Sequence, residues 1–445
     1  MRSSSLVHAA VLVLLLARSA ALGTAPANAT QPLQLLTGYP QARCMDGTAS
    51  GFYVHKSRLG AAQTKWVLTL QGGGECVSAR CASKAKSALG SSNYFPKSFE
   101  FWNEANTHLA DTSCTGNPEL CDYNQVGTVP STRCAVRRRS RLAPPRICLR
   151  TDPRPPPSPP HTHHPSPHCH RHPQVFLPYC SQDLWTGQAN STSPASSTAP
   201  GWYFSGHLIL NAVLDELVAS HGLRDATQIV LSGWSAGGFG VYHNIDWLAA
   251  RFPAARVVGA PIAGYEFYAW PYVGKGNTGP SALADFSAGA MASGAYNALW
   301  QSYVPPACLA DHAADPGACL LPGLSYGYIT TPLFIIEAQG DSVVLMYHDS
   351  VPKLNNRKSV TPPVRAYMAG FAANQSVCLA AALAPKSGDG VFNPSCFIHT
   401  GFKNSFTING TGYLDAFRAW LGGASVKLTD KCAVGEVLCN PTCPL

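Results

Sequence analysis

A serine hydroxyl attacks a carbonyl only when a base takes its proton and a carboxylate orients that base. Ser235 is the residue whose surroundings suit that role. The apolar, β-branched run Ile229-Val230-Leu231 leads into Gly233-Trp234-Ser235-Ala236-Gly237-Gly238. Gly-x-Ser-x-Gly between a strand and an amphipathic segment predicts a strand, a tight turn and a helix, with the hydroxyl lifted out of the sheet. Gly233 and Gly237 lack Cβ atoms, so strand and helix can close around a strained serine. An ordinary strand-to-helix turn is the competing reading, and the flanking pattern weighs against it.

On such a sheet the acid and then the base follow the serine, each on a loop after a strand. Asp341 comes after Thr331 to Gly340, a strand closed by a glycine. Asp349 and Asp389 lack such a strand, and Glu337 is expected inside it. His399 follows the short apolar segment Cys396-Phe397-Ile398 and precedes a helical pattern at Leu414, Phe417, Trp420 and Leu421. His348 is expected on the helix after Asp341, and His243 lies behind the serine.

A second glycine cluster adds to the pattern. Trp66-Val67-Leu68-Thr69-Leu70 reads as a buried strand and runs into Gln71-Gly72-Gly73-Gly74-Glu75-Cys76. Successive glycines let backbone N–H groups turn towards a common point. Beside a nucleophilic serine that point is the oxyanion of a tetrahedral intermediate. A flexible turn is the alternative, and the lack of a following Gly-Lys-Ser/Thr disfavours a phosphate loop.

These residues need a sheet to position them. Gln31 to Arg58 reads as entry strands and turns, and Val175 to Pro178 as a short apolar strand. Leu210, Val213, Leu214 and Leu217 show helical spacing that Gly222 ends. The serine strand, a helix over Phe239 to Phe252 and a strand over Arg256 to Ala263 follow. Strand–helix–strand repetition predicts an α/β fold with a mostly parallel sheet. Ser181, Asp183 and Trp185 fall after a strand and can line a substrate site or form an ordered loop. Gly264 to Pro306 is expected to cover the site. Its Tyr265, Phe267, Tyr268, Trp270 and Tyr272 can stack on sugars, line an acyl pocket, or pack.

The chain has 445 residues and a formal net charge of +8. Much of the excess lies between Arg133 and Arg171 rather than on a helical face, which argues against nucleic-acid binding. Arg2, the apolar run Leu6 to Ala17 and the small residues after it predict a signal peptide ending near residue 23. A single catalytic domain over 24–445 follows, with no membrane span after cleavage. The 16 cysteines suit a secreted chain. Cys76/Cys81, Cys114/Cys121 and Cys308/Cys319 are candidate local pairs, and Cys432, Cys439 and Cys443 can tie down the C-terminus. Their spacing does not make a metal site. Sequons occur at Asn28, Asn190, Asn374 and Asn409.

Residues 126–174 interrupt this domain with an Arg-, Pro- and His-rich stretch lacking periodic hydrophobicity. It is expected to be a disordered surface excursion. Its histidines offer a weaker metal-binding or partner-binding reading. Translated intron is a third: the first codon begins GT and the last can end AG. Uniform presence of these codons in mature message would refute that origin.

With these residues in place, the chain resembles the pectin acetylesterase and Notum family of secreted carboxylesterases. The resemblance rests on Leu70 to Cys76, Tyr179 to Gly187, Gly233 to Gly238, Pro332 to Ser342, Ser395 to His399, and Cys439-Asn440-Pro441-Thr442-Cys443. It implies an α/β-hydrolase-like fold, with Ser235 as nucleophile, His399 as base and Asp341 as orienting acid. The backbone amides of Gly73, Gly74 and Ala236 would form the oxyanion hole. No cofactor or metal is implied. The tail is closer to the pectin acetylesterase branch, whose substrate is an acetylated cell-wall polysaccharide. The alternative substrate is an acylated secreted protein, as for Notum. A non-catalytic glycan-binding protein is the reading from another class. The plant-like pattern has Trp at Glu75 and Cys at Trp234, and Glu75 would disfavour an anionic pectin chain nearby.

Overall fold

Alternation in the first core strand sends Trp66, Leu68 and Leu70 to one face of a sheet and Val67 to the other. Ile229 and Leu231 against Val230 repeat the division in the serine strand. Both faces are apolar, so both must be covered by helices. The computed structural model describes residues 31–55, 64–77, 81–99, 174–189, 201–274, 295–355, 359–384 and 388–444. The expected signal peptide, Asn28, Asn190, Cys114/Cys121 and 126–173 lie outside the described residues.

Among the described residues nine strands form the main sheet: β1 (Gln34–Leu35), β2 (Gly51–His55), β3 (Lys65–Leu70), β4 (Gln174–Leu177), β5 (Gln228–Trp234), β6 (Arg256–Ile262), β7 (Phe334–Ile336), β8 (Gly390–Asn393) and β9 (Lys427–Thr429). Their spatial order is β9-β8-β7-β6-β5-β3-β4-β2-β1. The seven strands from β9 to β4 run parallel, and β2 and β1 turn antiparallel at the edge. The mostly parallel α/β expectation therefore holds. Strand β7 is shorter than the sequence pattern suggested: it ends at Ile336, and Glu337 lies just beyond it.

The helices that matter to the site are α1 (Cys81–Lys84), α2 (Gly206–Ser220), α3 (Ala236–Arg251), α4 (Pro362–Cys378) and α5 (Tyr413–Leu421). Apolar residues of α2, α3 and α4 pack with Trp66, Leu68 and Leu231 on one face. Leu414, Phe417 and Trp420 of α5 pack with Val67, Val230 and Phe392 on the other. The result is three layers with the sheet at the centre. Helix α2 stops before Gly222, whose φ of +83° starts a left-handed turn.

Among the described residues five disulfides brace the loops: Cys44–Cys180, Cys76–Cys81, Cys308–Cys319, Cys396–Cys443 and Cys432–Cys439. Two of the local pairs expected from spacing are among them. Asn374 is exposed on α4 and Asn409 on a loop near the C-terminal helix.

Candidate active site

Parallel strands deliver their following loops to one edge of the sheet, where α/β proteins place their sites. Ser235 follows β5, the Gly-rich loop follows β3, Asp341 comes after β7 and His399 after β8. Ser235 sits at φ 56°, ψ −125°, a strained conformation for a residue with a side chain. Its N–H donates to the Ile262 carbonyl at 2.9 Å, and its own carbonyl accepts from Phe239 at 3.1 Å. The turn is thus held from both sides while the side chain stays partly exposed. Close approach requires Gly237 just behind it: a Cβ there would lie 2.1 Å from the Leu70 carbonyl oxygen.

The Gly-rich loop reaches this turn directly. A Cβ on Gly72 would stand 2.8 Å from the Ser235 Cβ. Gly73 lies between Leu89 and Tyr179, and Gly74 has φ +71°. Ala236 is the first residue of α3, so its N–H belongs to the unpaired donors of a helix start.

Asp341 and His399 meet. The His399 Nδ1 lies 2.7 Å from Asp341 Oδ2. Asp341 Oδ1 accepts from the Val343 and Val344 N–H groups at 2.9 and 3.0 Å. Burial alone would raise this carboxyl. The adjacent His399, its hydrogen bond and the two backbone donors outweigh burial and hold Asp341 below the ordinary carboxylate range. The other ring nitrogen, His399 Nε2, is buried and has no hydrogen-bond partner among the described residues. A ring oriented through Nδ1 and open at Nε2 can accept a proton at that atom.

The competing residues are occupied elsewhere. His348 pairs with Glu266 at 2.8 Å. Burial acts to lower its basicity, but Glu266 and neighbouring carboxylates raise it to about 9. His243 bonds the Leu320 carbonyl at 3.0 Å, and burial lowers it to about 4. Asp389 precedes β8 and so lies at the opposite end of the sheet, where it accepts from Leu333 N–H at 2.7 Å. Glu337 accepts from Tyr265 N–H at 2.9 Å. Its burial, then the Asp341 charge, push it well above the usual carboxyl range.

Ser181, Asp183 and Trp185 are fully buried, which leaves them no surface with which to line a substrate. Their geometry is that of the ordered loop. Asp183 Oδ2 accepts from the first N–H of α2 at 2.6 Å, and Oδ1 accepts from Ser181 Oγ at 2.6 Å and Trp185 N–H at 3.1 Å. Burial lifts Asp183 to about 6 against the pull of these bonds. Trp185 Nε1 donates to the Gln71 carbonyl at 2.9 Å, and Gln71 Oε1 accepts from Tyr179 N–H at 2.9 Å. The loop therefore supports the Gly-rich turn from behind.

The burial of Glu75 and Asp349, and the amide network behind Asp341, were not anticipated from sequence. Glu75 is 5% exposed, and its Oε1 has no hydrogen-bond partner among the described residues. Burial raises it to about 7 despite opposing His348, Lys84 and His399. Asp349 is likewise raised to about 7 by burial. Behind Asp341, Asn393 Nδ2 donates to the Glu337 carbonyl at 2.7 Å and to Gln375 Oε1 at 2.8 Å, and Gln375 Nε2 donates to Ala338 at 3.0 Å. Isolated amides on a strand and a helix carry no sequence signal for such a network. Among the expected aromatics, Tyr265, Phe267 and Tyr272 are buried, while Tyr268 and Trp270 are 49% and 75% exposed.

A mostly parallel sheet with helices on both faces and a strained serine between strand and helix defines an α/β-hydrolase-like protein. Structural comparison agrees: the Wnt deacylase Notum from Drosophila superposes with a TM-score of 0.67 at 22% identity, covering 94% of this chain and all of the other. The Pectinacetylesterase family profile matches residues 24–129 and 161–444, and the chain belongs to that family. The unmatched 130–160 fall within the Arg-, Pro- and His-rich stretch. Palmitoleoyl-protein carboxylesterase NOTUM of Drosophila melanogaster is 26% identical over 395 residues, spanning 87% of this chain and 48% of the relative. Pectin acetylesterase 11 of Arabidopsis thaliana is 25% identical over 425 residues, spanning 91% of this chain and 89% of the relative. The chain thus spans about half the length of the Drosophila relative. Among the described residues no helix is long and apolar enough to cross a membrane.

Proposed function

We propose that this protein is a secreted serine carboxylesterase that removes O-acetyl groups from a cell-wall polysaccharide such as pectin. The observation that carries the reading is the oriented pair His399–Asp341 at 2.7 Å, with Nε2 open, on the same sheet edge as the strained Ser235. His399 takes the Ser235 proton as Oγ attacks the ester carbonyl. The N–H groups of Gly73, Gly74 and Ala236 hold the tetrahedral oxyanion. His399 returns the proton to the departing alcohol, and water repeats the sequence to release acetate.

Two observations support acetate over a long acyl group. Glu75, Glu266, His348 and Asp349 are buried and interact electrostatically with one another, and Glu75 also with His399. Charged groups packed this close to the base leave less apolar wall for a long hydrocarbon chain than for an acetyl methyl. The pectin acetylesterase relative is also matched over nearly its whole length. The exposed Tyr268 and Trp270 offer ring faces to a sugar. The test is hydrolysis of p-nitrophenyl esters of matched short and long chains, together with acetate release from acetylated pectin. Ser235→Ala is expected to abolish turnover, and short chains to be preferred. Equal turnover by Ser235→Ala refutes the serine mechanism; preference for long chains reassigns the substrate to an acylated protein.

A further inference from the structure

The Gly73 carbonyl has two side-chain donors. Lys84 Nζ lies 3.0 Å from it and Gln182 Nε2 lies 3.4 Å away. Lys84 lies 11 residues and Gln182 109 residues along the chain from Gly73, and both are held in place. Lys84 is the last residue of α1, whose first residue, Cys81, is joined to Cys76 of the Gly-rich loop by a disulfide. Gln182 is fully buried, and its own carbonyl accepts from Cys76 N–H at 3.1 Å. The described chain contains no cis peptide bond. In a planar trans peptide the carbonyl and the N–H point in opposite directions. A donor fixed on the Gly73 oxygen therefore fixes the direction of the Gly74 N–H. Without a side chain on either glycine, little else restrains that plane.

We propose that Lys84, carried to the loop by the Cys76–Cys81 disulfide, is a positioning residue that aims and polarises the Gly73–Gly74 peptide so that the Gly74 N–H faces the oxyanion. This rests on the serine-esterase reading given above. An ammonium on the carbonyl withdraws charge through the amide and strengthens its N–H as a donor. The benefit arises as negative charge develops, so it acts on the transition state rather than on substrate binding. Gln182 supports the same plane as a neutral second donor. Lys84 also acts on Glu75, which follows Gly74 directly: after the larger pull of His348, its charge partly offsets the burial of that carboxyl.

The test compares Lys84→Met and Lys84→Arg with the parent on p-nitrophenyl acetate, alongside affinity for an alkylboronic acid, whose adduct with a serine carries a tetrahedral oxyanion mimic. Lys84→Met is expected to lower kcat about ten- to hundredfold with KM unchanged, and to weaken the boronate by a similar factor. Lys84→Arg, which keeps a cationic donor, is expected to recover most of both. The proposal is overturned if folded Lys84→Met keeps kcat within about twofold, or if kcat falls while boronate affinity does not. Should Lys84→Met not fold, Lys84→Gln takes its place, with the same opposed outcomes. Failure of the serine reading is seen separately, as hydrolysis that survives Ser235→Ala.

Discussion

Replacing Glu75 with glutamine keeps the shape of the side chain and removes its titration. Burial holds the folded carboxyl at about 7 against an ordinary value of 4.5. That gap, at about 1.4 kcal/mol for each tenfold change in proton affinity, makes roughly 3 to 4 kcal/mol of lost stability once the group is ionised. The sign follows from proton binding. Between 4.5 and 7 the folded chain keeps a proton that the unfolded chain has released, so this group lowers stability as pH rises through that window. Below it the carboxyl is neutral in both states and contributes nothing. Glu75 is only 5% exposed, so solvent screening is a small correction. Glu75→Gln should therefore gain stability relative to the parent by roughly 2 to 3 kcal/mol on going from near pH 5 to near pH 8. Any cost of burying the amide is common to both conditions and cancels. Urea unfolding followed by tryptophan fluorescence, with disulfides intact, measures the difference. A variant-minus-parent difference that is the same at both pH values would refute a carboxyl kept neutral by burial.

Two further outcomes follow from the geometry. Asp341→Asn should lower kcat/KM about a thousand- to ten-thousandfold on a short-chain ester, because the amide cannot hold His399 with Nε2 ready to accept a proton; a loss below about tenfold would remove Asp341 from the mechanism. Gly237→Ala places a methyl 2.1 Å from the Leu70 oxygen, where backbone of β3 cannot yield without moving the sheet. A loss of about 3 kcal/mol or more in urea unfolding is expected, and an unchanged midpoint would contradict the close approach.

Much of the framework is legible locally. A β-branched run, Gly-x-Ser-x-Gly and helical spacing specify strand, turn and helix within twenty or so neighbouring residues. The apolar strands at Trp66–Leu70 and Arg256–Ile262 announce themselves by burial on both faces. Cys76–Cys81 and Cys308–Cys319 lie close enough in sequence for spacing to suggest them. Chain order after the serine singles out Asp341 and His399, because successive parallel strands deliver their loops to one edge.

Tertiary structure decided what depends on the paths of separate loops. Cys44–Cys180 spans 136 residues, and nothing in either segment selects the other. Asp183 looked available for substrate, yet the start of α2 takes its carboxylate as a cap, a partner 23 residues away. Glu266 and His348 come from different strand ends and pair only because the sheet brings those ends together. Lys84 reaches Gly73 because a disulfide turns α1 back on the loop. Sequence periodicity encodes which face of an element is apolar. Hydrogen bonds between loops depend on where those faces, once packed, leave their ends.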